Sequence, residues 1–567
     1  MYVLSYVPWG AEGIIIRVEA DIRRGIPGVD ITGLAEGAVR EARERVRASF
    51  RNSGFSFPED RILINLAPAG LRKDGASLDL PIAISVMAAA DMVPIPVDIM
   101  ILGELELSGR VRPVRGVLAA VEAGLKSGIG EFIVPFENAN EAEVLAGGKG
   151  YPAFSFFAAA TLAETVHALF KRAEKGVLGE NNPVPGTVPN PAKEGCYGIG
   201  AGDFSEVRFQ GRYKRALEIA AAGGHNLLVF GPPGSGKTML ARRFPSIMPP
   251  LEPEEAVEVT RLHSLAGQIR AATLPPLCGS ESSPGLYAGS GLIRQPPFRS
   301  PHHSASAEGI LGGGRIVRPG EITLAHLGVL FLDEAPEFRI PVLQSLREPL
   351  EDRVITIVRA EGPLRLPADF QLVMAANGCP CGRLGAVSPG KENESSGIRG
   401  AGPGNFAGTE CLCSPDEIRR YWRKLGSALL DRIELRVPLG APGVLSSGGG
   451  GEECSTEIAR RVLAAVEIQR ERFKGTLPSG YTVRRNARMS PGQIEKFCPL
   501  TDKAAQAFNL AALKLGLSGR ACHGVLKIAR TIADLEGKDS LDPVHILEAV
   551  QHRRYGDDPY DIVTCKL

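Results

Sequence analysis

The sequence predicts an α/β fold, with an α+β region before the central sheet and a helical region after it. Three short apolar runs carry this prediction, and they end at a Gly-rich stretch beginning at Gly231, at Asp333 and at Asn377. Short apolar runs of this kind are typical of buried parallel strands. Beyond Ser455 the apolar residues recur with helical spacing. The functional residues are therefore expected at the ends of the strands.

Composition divides the chain into five segments. The first combines strand-like runs, such as Ile14 to Ala20, with an amphipathic helix from Glu36 to Asn52. Stretches rich in Pro, Gly and Ser indicate linkers. Two predicted helices of the last segment begin with Ser455 and Ser518, and Ser is a favoured N-cap residue. The predicted segments are an α+β domain at 1–172, a linker at 173–196, the α/β domain at 197–440, a second linker at 441–454 and a helical domain at 455–567.

The overall composition is that of an ordinary globular protein of several domains. The chain has 567 residues and a net charge of +1, so any nucleic-acid affinity must come from local patches. Its most apolar region, Leu80 to Leu102, is interrupted by Asp91, Asp98 and prolines, too often for a membrane span. Ten cysteines without a recognisable export signal predict a reducing compartment. We expect a cytoplasmic protein with no membrane partner.

The stretch from Gly231 to Thr238 has the pattern of a phosphate-binding loop, G-x-x-x-x-G-K-T, directly after an apolar strand. Glycines let backbone N–H groups close around a phosphate, and the next helix turns its positive end toward the anion. Lys237 supplies charge for the β- and γ-phosphates, and the Thr238 hydroxyl is a predicted Mg²⁺ ligand. ATP and Mg²⁺ are therefore the predicted cofactors. The predicted nucleotide contacts in this loop are Gly231, Pro232, Pro233, Gly234, Ser235, Gly236, Lys237 and Thr238.

Polar residues at the ends of the two later strands complete a catalytic constellation. Asp333 and Glu334 follow an apolar run that begins at Gly328. Asp333 is predicted to orient Mg²⁺, and Glu334 to polarise the attacking water; an edge strand with exposed acids is the alternative. Asn377 is predicted to sense the γ-phosphate or to position water, although an Asn after a strand is also a common turn residue.

Two arginines are candidates for completing the site. Arg432 is predicted to reach the γ-phosphate of a neighbouring subunit and to offset charge in the transition state. Its alternative is a structural ion pair with Asp431 or Glu434. Arg520 lies in the first turn of a predicted helix and is a candidate to close over the nucleotide, with a solvated arginine at a helix start as the alternative.

Four cysteines form two closely spaced pairs on either side of a segment rich in Gly, Ser and Glu. They are Cys379 with Cys381 and Cys411 with Cys413. Four thiolates suit tetrahedral Zn²⁺, so zinc is a candidate third cofactor. The spacing is tighter than that of the common zinc knuckle, and free thiols are the alternative.

Basic residues between the phosphate loop and Asp333 are candidates for DNA binding, because Arg and Lys hold backbone phosphates without reading bases. A second candidate is a hairpin that begins with the strand-like run Val354 to Arg359. The basic residues of the first segment lie amid many glycines and are Arg294, Arg299, His302, His303, Arg315 and Arg318.

Taken in order, the phosphate loop, the two acids, the asparagine and the two arginines resemble the AAA+ ATPases. The sequence segments between these residues resemble the magnesium-chelatase-like branch of this family, and within that branch the ComM/YifB type of competence-related ATPase. This resemblance covers nearly the whole chain. The stretches that carry it are Arg215 to Asn226, Pro297 to His303, Pro319 to His326 and Lys527 to Leu535.

This resemblance implies an AAA+ P-loop core with a C-terminal helical lid, assembled as a hexameric ring with nucleotide at the subunit interfaces. It implies that Asn377 is sensor 1, Arg432 the arginine finger and Arg520 sensor 2. Proteins of this type act as DNA helicases that drive branch migration during natural transformation, so single-stranded or branched DNA is the expected partner. A chelatase-type ATPase that remodels a metal-insertion partner is the alternative.

The N-terminal domain resembles the Lon protease domain, an α+β fold of the S5-like type. The resemblance rests on Lys73 to Ser77 and on Leu102 to Val111. Proteolysis in Lon requires a lysine to activate the serine, and by alignment Leu118 occupies that position. We therefore expect a retained fold without peptidase activity. Two departures from the ComM/YifB pattern are Gly378, where Pro is usual, and Gly524, where Arg is usual.

Overall fold

The structure is a computed structural model. Both predicted linkers lie mostly outside the described residues, as do Asp74, Gly75 and Arg315. The structure describes residues 2–33, 37–71, 73, 76–95, 97–146, 151–176, 178, 202–208, 210–269, 292–314, 317–359, 362–384, 411–440, 453–474 and 485–553.

The N-terminal domain is built on a mixed sheet. Within the described residues seven strands form it, in the order β3-β4-β2-β1-β5-β8-β9, and β6 and β7 form a separate antiparallel pair. The strands are β1 (Tyr2–Val7), β2 (Ile14–Arg23), β3 (Gly28–Thr32), β4 (Arg61–Ala67), β5 (Ile99–Ile101), β6 (Glu104–Leu105), β7 (Val111–Arg112), β8 (Glu131–Pro135) and β9 (Ser155–Ala159). The helices of this domain are α1 (Gly37–Asn52), α2 (Asp79–Ala89), α3 (Val117–Lys126), α4 (Ala139–Ala146) and α5 (Leu162–Lys175).

Helix α2 explains the most apolar region of the sequence. Its residues from Asp79 to Ala88 are buried because the helix packs on β1 and β2 and is also covered by α1. The buried carboxylate of Asp79 is paired with Arg45 of α1, with 2.8 Å between Arg45 Nε and Asp79 Oδ2. The first half of this apolar region is thus a helix of the domain core, and its end, Ile99–Ile101, is strand β5.

A parallel sheet forms the centre of the α/β domain. Among the described residues its strand order is β11-β14-β17-β10-β18, and every neighbouring pair runs parallel. The strands of this domain are β10 (Leu227–Phe230), β11 (Phe298–Arg299), β12 (Gly312–Gly313), β13 (Arg318–Pro319), β14 (Val329–Leu332), β15 (Val354–Arg359), β16 (Gly362–Pro367), β17 (Gln371–Ala376) and β18 (Leu435–Pro438).

Helices cover this sheet and connect its strands. They are α6 (Gly211–Gly223), α7 (Lys237–Arg243), α8 (Pro253–Leu265), α9 (Ala307–Leu311), α10 (Glu321–Leu324), α11 (Ile340–Ser345), α12 (Arg347–Asp352), α13 (Pro415–Arg423) and α14 (Ser427–Leu430). Every residue of β10, β14 and β17 is buried, which explains why these strands appear as continuous apolar runs.

Strands β15 and β16 form the hairpin that the sequence predicts after Glu351. The two strands pair in antiparallel register from Val354 opposite Pro367 to Arg359 opposite Gly362. Leu364 and Leu366 anchor it in the core, whereas the side chain of Val358 is 79% exposed. The far end of the hairpin therefore presents an apolar side chain to solvent.

The C-terminal domain consists of helices packed against the α/β domain. They are α15 (Ser455–Phe473), α16 (Pro491–Phe497), α17 (Asp502–Leu515), α18 (Gly519–Leu535) and α19 (Pro543–Arg553). Helix α18 packs on α6, and His225 Nε2 lies 2.8 Å from Thr531 Oγ1. In the part of the chain that the structure describes, no helix is both long enough and apolar enough to cross a membrane.

One of the two predicted serine caps is wrong. Ser518 caps α18, because its side chain accepts the N–H of Ala521 at 3.2 Å. The N-cap residue of helix α15, however, is Cys454, whose side chain makes no cap hydrogen bond. The Ser455 hydroxyl lies inside the protein, where it accepts the N–H of Phe204 at 3.0 Å. Ser455 therefore ties α15 to the α/β domain instead of capping it.

Candidate nucleotide-binding site

The phosphate loop lies between the end of β10 and the start of α7. Gly234 and Gly236 have φ values of 78° and 84°, in the left-handed region that favours glycine. At Gly231 a Cβ atom would lie 2.5 Å from the carbonyl oxygen of Leu439, so a side chain there is sterically excluded. These positions explain three of the glycines in the sequence motif.

Lys237 and Asn377 meet beneath this loop. Lys237 Nζ donates to the carbonyl oxygens of Gly231 (2.8 Å) and Pro232 (2.9 Å) and to Oδ1 of Asn377 (3.2 Å). Burial lowers the pKa of Lys237 below its ordinary value, while the carboxylates of Asp333 and Glu334 oppose that shift. The ammonium group is therefore held inside the loop, beside the proposed sensor residue.

Thr238 and Asp333 form the candidate Mg²⁺ site. Thr238 Oγ1 donates to Asp333 Oδ2 at 2.8 Å, because β14 ends beside the start of α7. Hydroxyl and carboxylate oxygens are the ligands that Mg²⁺ prefers, so the two residues fit the predicted ion. The structure thus brings together the two side chains that the sequence predicts as Mg²⁺ ligands.

Glu334 is directed toward solvent at the same edge of the sheet. Its backbone lies in the left-handed region, with φ 49° and ψ 45°, and its side chain is 57% exposed. Its Oε2 lies 3.8 Å from Nδ1 of His303, a residue that follows β11. His303 was not predicted to lie beside Glu334, although its position after β11, the strand that neighbours β14, is a usable signal.

The two candidate arginines share one acid. Arg432 Nη2 lies 2.8 Å from Glu351 Oε1, and the same oxygen is bound by Arg520. The hydrogen bond from Arg432, with a smaller contribution from Arg520, holds the pKa of Glu351 below its ordinary value. The sequence did not point to Glu351 as a partner of Arg432. The ion pair expected as the alternative, with Asp431 or Glu434, is not the one observed.

This arginine pair lies at the edge of the sheet opposite the phosphate loop. Asn226 Nδ2 donates to the carbonyl oxygen of Arg432 at 3.0 Å, and Asn226 immediately precedes β10. The phosphate loop begins at the other end of β10, roughly 13 Å away for four residues at about 3.3 Å each. Among the described residues, neither guanidinium contacts the phosphate loop.

The four cysteines lie beside the phosphate loop. The Sγ atom of Cys379 lies 3.3 Å from that of Cys381 and 3.5 Å from that of Cys411, and Cys381 and Cys411 are 3.6 Å apart. With Cys413 included, all four sulfur atoms lie within 4.8 Å of one another. Although desolvation opposes it, hydrogen bonds from the Arg383 backbone and the neighbouring thiols lower the pKa of Cys381 to about 6.

In the N-terminal domain, the hydrogen bonds of Lys73 leave its ammonium group unsuited to activate a nucleophile. Its side chain is buried, and Nζ donates to the carbonyl oxygens of Gly33 (2.8 Å), Leu71 (2.8 Å) and Pro68. Leu118 lies fully buried in the core. The Lys73 ammonium group is therefore bound to backbone carbonyl oxygens and not to Ser77.

Of the predicted basic residues, Arg299 is already neutralised. Its Nε and Nη2 atoms lie 2.7 Å and 2.8 Å from the carboxylate of Glu321. Arg294 and Arg318 are exposed, and the ring centroids of His302 and His303 are 4.1 Å apart. Arg299 therefore forms a structural ion pair with Glu321, and its role in holding DNA stays a prediction.

Three family models match the chain. The model described as "Magnesium chelatase, subunit ChlI" matches residues 203–398. "Subunit ChlI of Mg-chelatase" matches residues 18–138, and "Magnesium chelatase, subunit ChlI C-terminal" matches residues 452–553. The matches follow the three domains described above.

Curated relatives align along nearly the full length. Competence protein ComM of Haemophilus influenzae is 37% identical over 555 residues, which covers 97% of this chain and 97% of the relative. The uncharacterized protein YifB of Escherichia coli is 38% identical over 548 residues, covering 96% and 95%. Lon protease of Geobacter metallireducens is 27% identical over 147 residues, which cover 25% of this chain and 18% of the protease.

Proposed function

Since this chain belongs to the ComM/YifB family of magnesium-chelatase-like AAA+ ATPases, we propose that it is a ring motor that hydrolyses ATP to move along single-stranded or branched DNA. We propose a hexameric helicase that drives branch migration in DNA recombination or natural transformation. One observation carries the proposal: Glu351 binds both candidate arginines and lies directly before the β15–β16 hairpin. Helix α12 thereby links the arginines to the hairpin.

Hydrolysis would take place at the phosphate loop. Lys237 binds the β- and γ-phosphates, and Asn377, hydrogen-bonded to Lys237, positions the γ-phosphate or the water. Thr238 and Asp333 would hold Mg²⁺, which would supply positive charge to neutralise the phosphates. Glu334 accepts a proton from the attacking water. Its exposure leaves the carboxylate accessible to that water.

The arginines support a ring. The backbone of Arg432 lies at the opposite end of β10 from its own phosphate loop, and Arg520 shares Glu351 with Arg432. A guanidinium at that position is available to the nucleotide of a neighbouring subunit, where it offsets the transition-state charge. We therefore propose that both arginines act in trans, and that catalysis requires assembly.

The exposed residues of the β15–β16 hairpin favour a polymer as the substrate of the motor. Near its end Val358 is 79% exposed, and the exposed residues Thr356 and Arg365 face each other across the two strands. An exposed arginine and an exposed apolar side chain on the same hairpin suit a nucleic-acid strand, which offers phosphates and base faces. The relative named as a competence protein supports DNA as that polymer.

The proposed cofactors are ATP and Mg²⁺ at the phosphate loop and Zn²⁺ at the four cysteines. The zinc proposal rests on four sulfur atoms within 4.8 Å of one another, at separations close to the edges of a tetrahedral zinc–thiolate site.

The central test is ATP hydrolysis by the purified full-length chain, with and without forked DNA. We expect DNA to raise turnover, Lys237→Ala to abolish it, and Glu334→Gln to lower kcat by about 10²- to 10⁴-fold.

Arg365→Ala should reduce stimulation by DNA and the salt dependence of DNA binding. Arg460→Ala, which changes an exposed arginine of α15, is the matched control. If no DNA structure changes the rate of ATP hydrolysis, and none binds to the protein at low salt, DNA is excluded as the substrate.

A chelatase-type motor is the second candidate, because the matched models describe a magnesium chelatase subunit. It predicts copurification of a large metal-insertase subunit and ATP hydrolysis indifferent to DNA. An active Lon-like peptidase is disfavoured by the buried Leu118 and by the carbonyl contacts of Lys73. Casein cleavage by the same preparation, abolished by Ser77→Ala, would contradict this interpretation.

A further inference from the structure

We infer that the four-cysteine centre braces the phosphate loop, so that its occupancy by Zn²⁺ controls the affinity for nucleotide. This inference rests on the zinc proposal above and adds a role for the metal in ATP binding. The centre consists of Cys379, Cys381, Cys411 and Cys413.

The sulfur separations fit a bound metal better than a disulfide. Zn–S bonds of about 2.3 Å in a tetrahedron place sulfur atoms about 3.8 Å apart. The separations here are 3.3, 3.5 and 3.6 Å. A disulfide requires about 2.05 Å, so none of these pairs is bonded. The four side chains are thus arranged around a common point.

The first pair lies on a turn shaped for ligation. Gly382, directly after Cys381, has φ 76° in the left-handed region, and the N–H of Leu384 donates to Cys379 Sγ at 3.4 Å. A backbone N–H directed at a ligating sulfur stabilises the thiolate. Cys379 is buried and Cys381 exposed, which gives a metal ion a path from solvent. The centre is therefore preformed on one side and open on the other.

The same turn rests on the phosphate loop. A Cβ atom at Gly382 would lie only 3.3 Å from Cδ of Pro233, so the turn passes close to the loop and a side chain at this position would press against it. On its other side, Asn377 lies two residues before Cys379 and accepts a hydrogen bond from Lys237 at 3.2 Å. The turn thus adjoins both the loop and the proposed sensor.

A metal would fix this turn by joining it to a second chain segment. Cys411 and Cys413 lie directly before α13, and Trp422 of that helix donates to the carbonyl oxygen of Gly378 at 3.1 Å. Without the metal, that hydrogen bond and side-chain packing remain to hold the turn against α13. We expect Pro233 and Asn377 to lose their fixed positions when the metal is removed, and nucleotide affinity to fall with them.

The experiment measures zinc content and affinity for a fluorescent ADP analogue on the full-length chain. We expect one zinc per chain in the wild type, no zinc in the double variant Cys411→Ser/Cys413→Ser, and an affinity about tenfold or more weaker in that variant, as misplacement of binding groups produces. Cys522→Ser, at a free cysteine of α18, is the control and should retain both zinc and affinity.

Zinc removal from the wild type separates a loss of affinity from misfolding. A zinc chelator, later removed by gel filtration, should weaken nucleotide binding, and added Zn²⁺ should restore it. A wild-type chain without zinc, or with the visible absorption of an iron–sulfur cluster, overturns the zinc proposal. A different outcome separates the two proposals. If the wild type binds zinc, and the zinc is lost from the variant or after chelation while the affinity for the analogue is unchanged, then zinc does not control nucleotide affinity. The zinc proposal itself would still hold.

Discussion

Glu334 combines a strained backbone with the proposed catalytic role. Its φ of 49° lies in a region where residues with a side chain pay about 1–2 kcal/mol. Asp333 Oδ1 accepts the N–H of Glu334 at 3.0 Å, which helps to hold this conformation. Strain of this kind is found where a side chain must point in one direction. Here it directs the carboxylate toward solvent beside His303.

We predict that Glu334→Gly raises stability while it abolishes ATP hydrolysis. Glycine adopts this φ without strain, so the free energy of unfolding should rise by about 0.5–1 kcal/mol. The matched variant is Glu334→Gln, which keeps the strain and should lose activity without gaining stability. Thermal unfolding and ATP turnover of the three proteins provide the measurements. A Gly variant no more stable than the Gln variant would show that the backbone of Glu334 is unstrained.

At the scale of the elements, the strands of the site were predictable and its ion pairs were not. Buried strands such as β10 produce apolar runs that end at functional residues, and this signal is local. The partner of Arg432 is not local. Asp431 and Glu434 adjoin it in sequence, but Arg432 turns to Glu351, at the end of α12. Which helix end meets an arginine depends on packing that no local pattern encodes.

Helix α12 is the proposed link between the arginines and DNA. Glu351 binds both arginines and is followed within three residues by the first strand of the hairpin. If DNA moves the hairpin, α12 moves with it, and the two guanidinium groups are repositioned toward the neighbouring nucleotide. The ion pairs are partly solvated, so their exchange has a modest energetic cost.

We predict that Glu351→Gln uncouples ATP hydrolysis from DNA. The variant removes the charge that holds both arginines, so basal turnover should persist while its stimulation by forked DNA is reduced. Glu348→Gln changes an exposed acid of the same helix and should behave as the wild type. Turnover measured over a range of DNA concentrations checks the prediction. If DNA stimulates the variant as much as the wild type, α12 does not couple DNA binding to ATP hydrolysis.

At the scale of the whole molecule, charged contacts dock the N-terminal domain on the ATPase domain. Helices α3 and α8 pack together across this boundary. Arg261 of α8 donates to Glu122 of α3 at 2.9 Å, and both side chains are largely buried. Beside them the Glu141 carboxylate accepts a hydrogen bond from Ser264. Since α8 follows the phosphate-loop helix in the chain, the docked domain restrains an element of the nucleotide-binding domain.

We predict that Arg261→Met destabilises this docking by about 1–3 kcal/mol, because it leaves Glu122 desolvated and short of a partner. Lys126→Met is the matched control, since Lys126 binds the same carboxylate but is 62% exposed, and an exposed pair contributes little. Thermal unfolding of the full-length variants at neutral pH checks the difference.

The pH dependence of the same variants provides a second check. Desolvation raises the pKa of Glu122, but Arg261 and Lys126 more than offset this and hold it below its ordinary value. A depressed carboxyl pKa stabilises the fold above the unfolded-state pKa, and the contribution disappears as pH falls through the folded-state value. The difference between wild type and Arg261→Met should therefore be largest at neutral pH and shrink in acid. An equal difference at both pH values would mean that Arg261 stabilises the interface by packing alone.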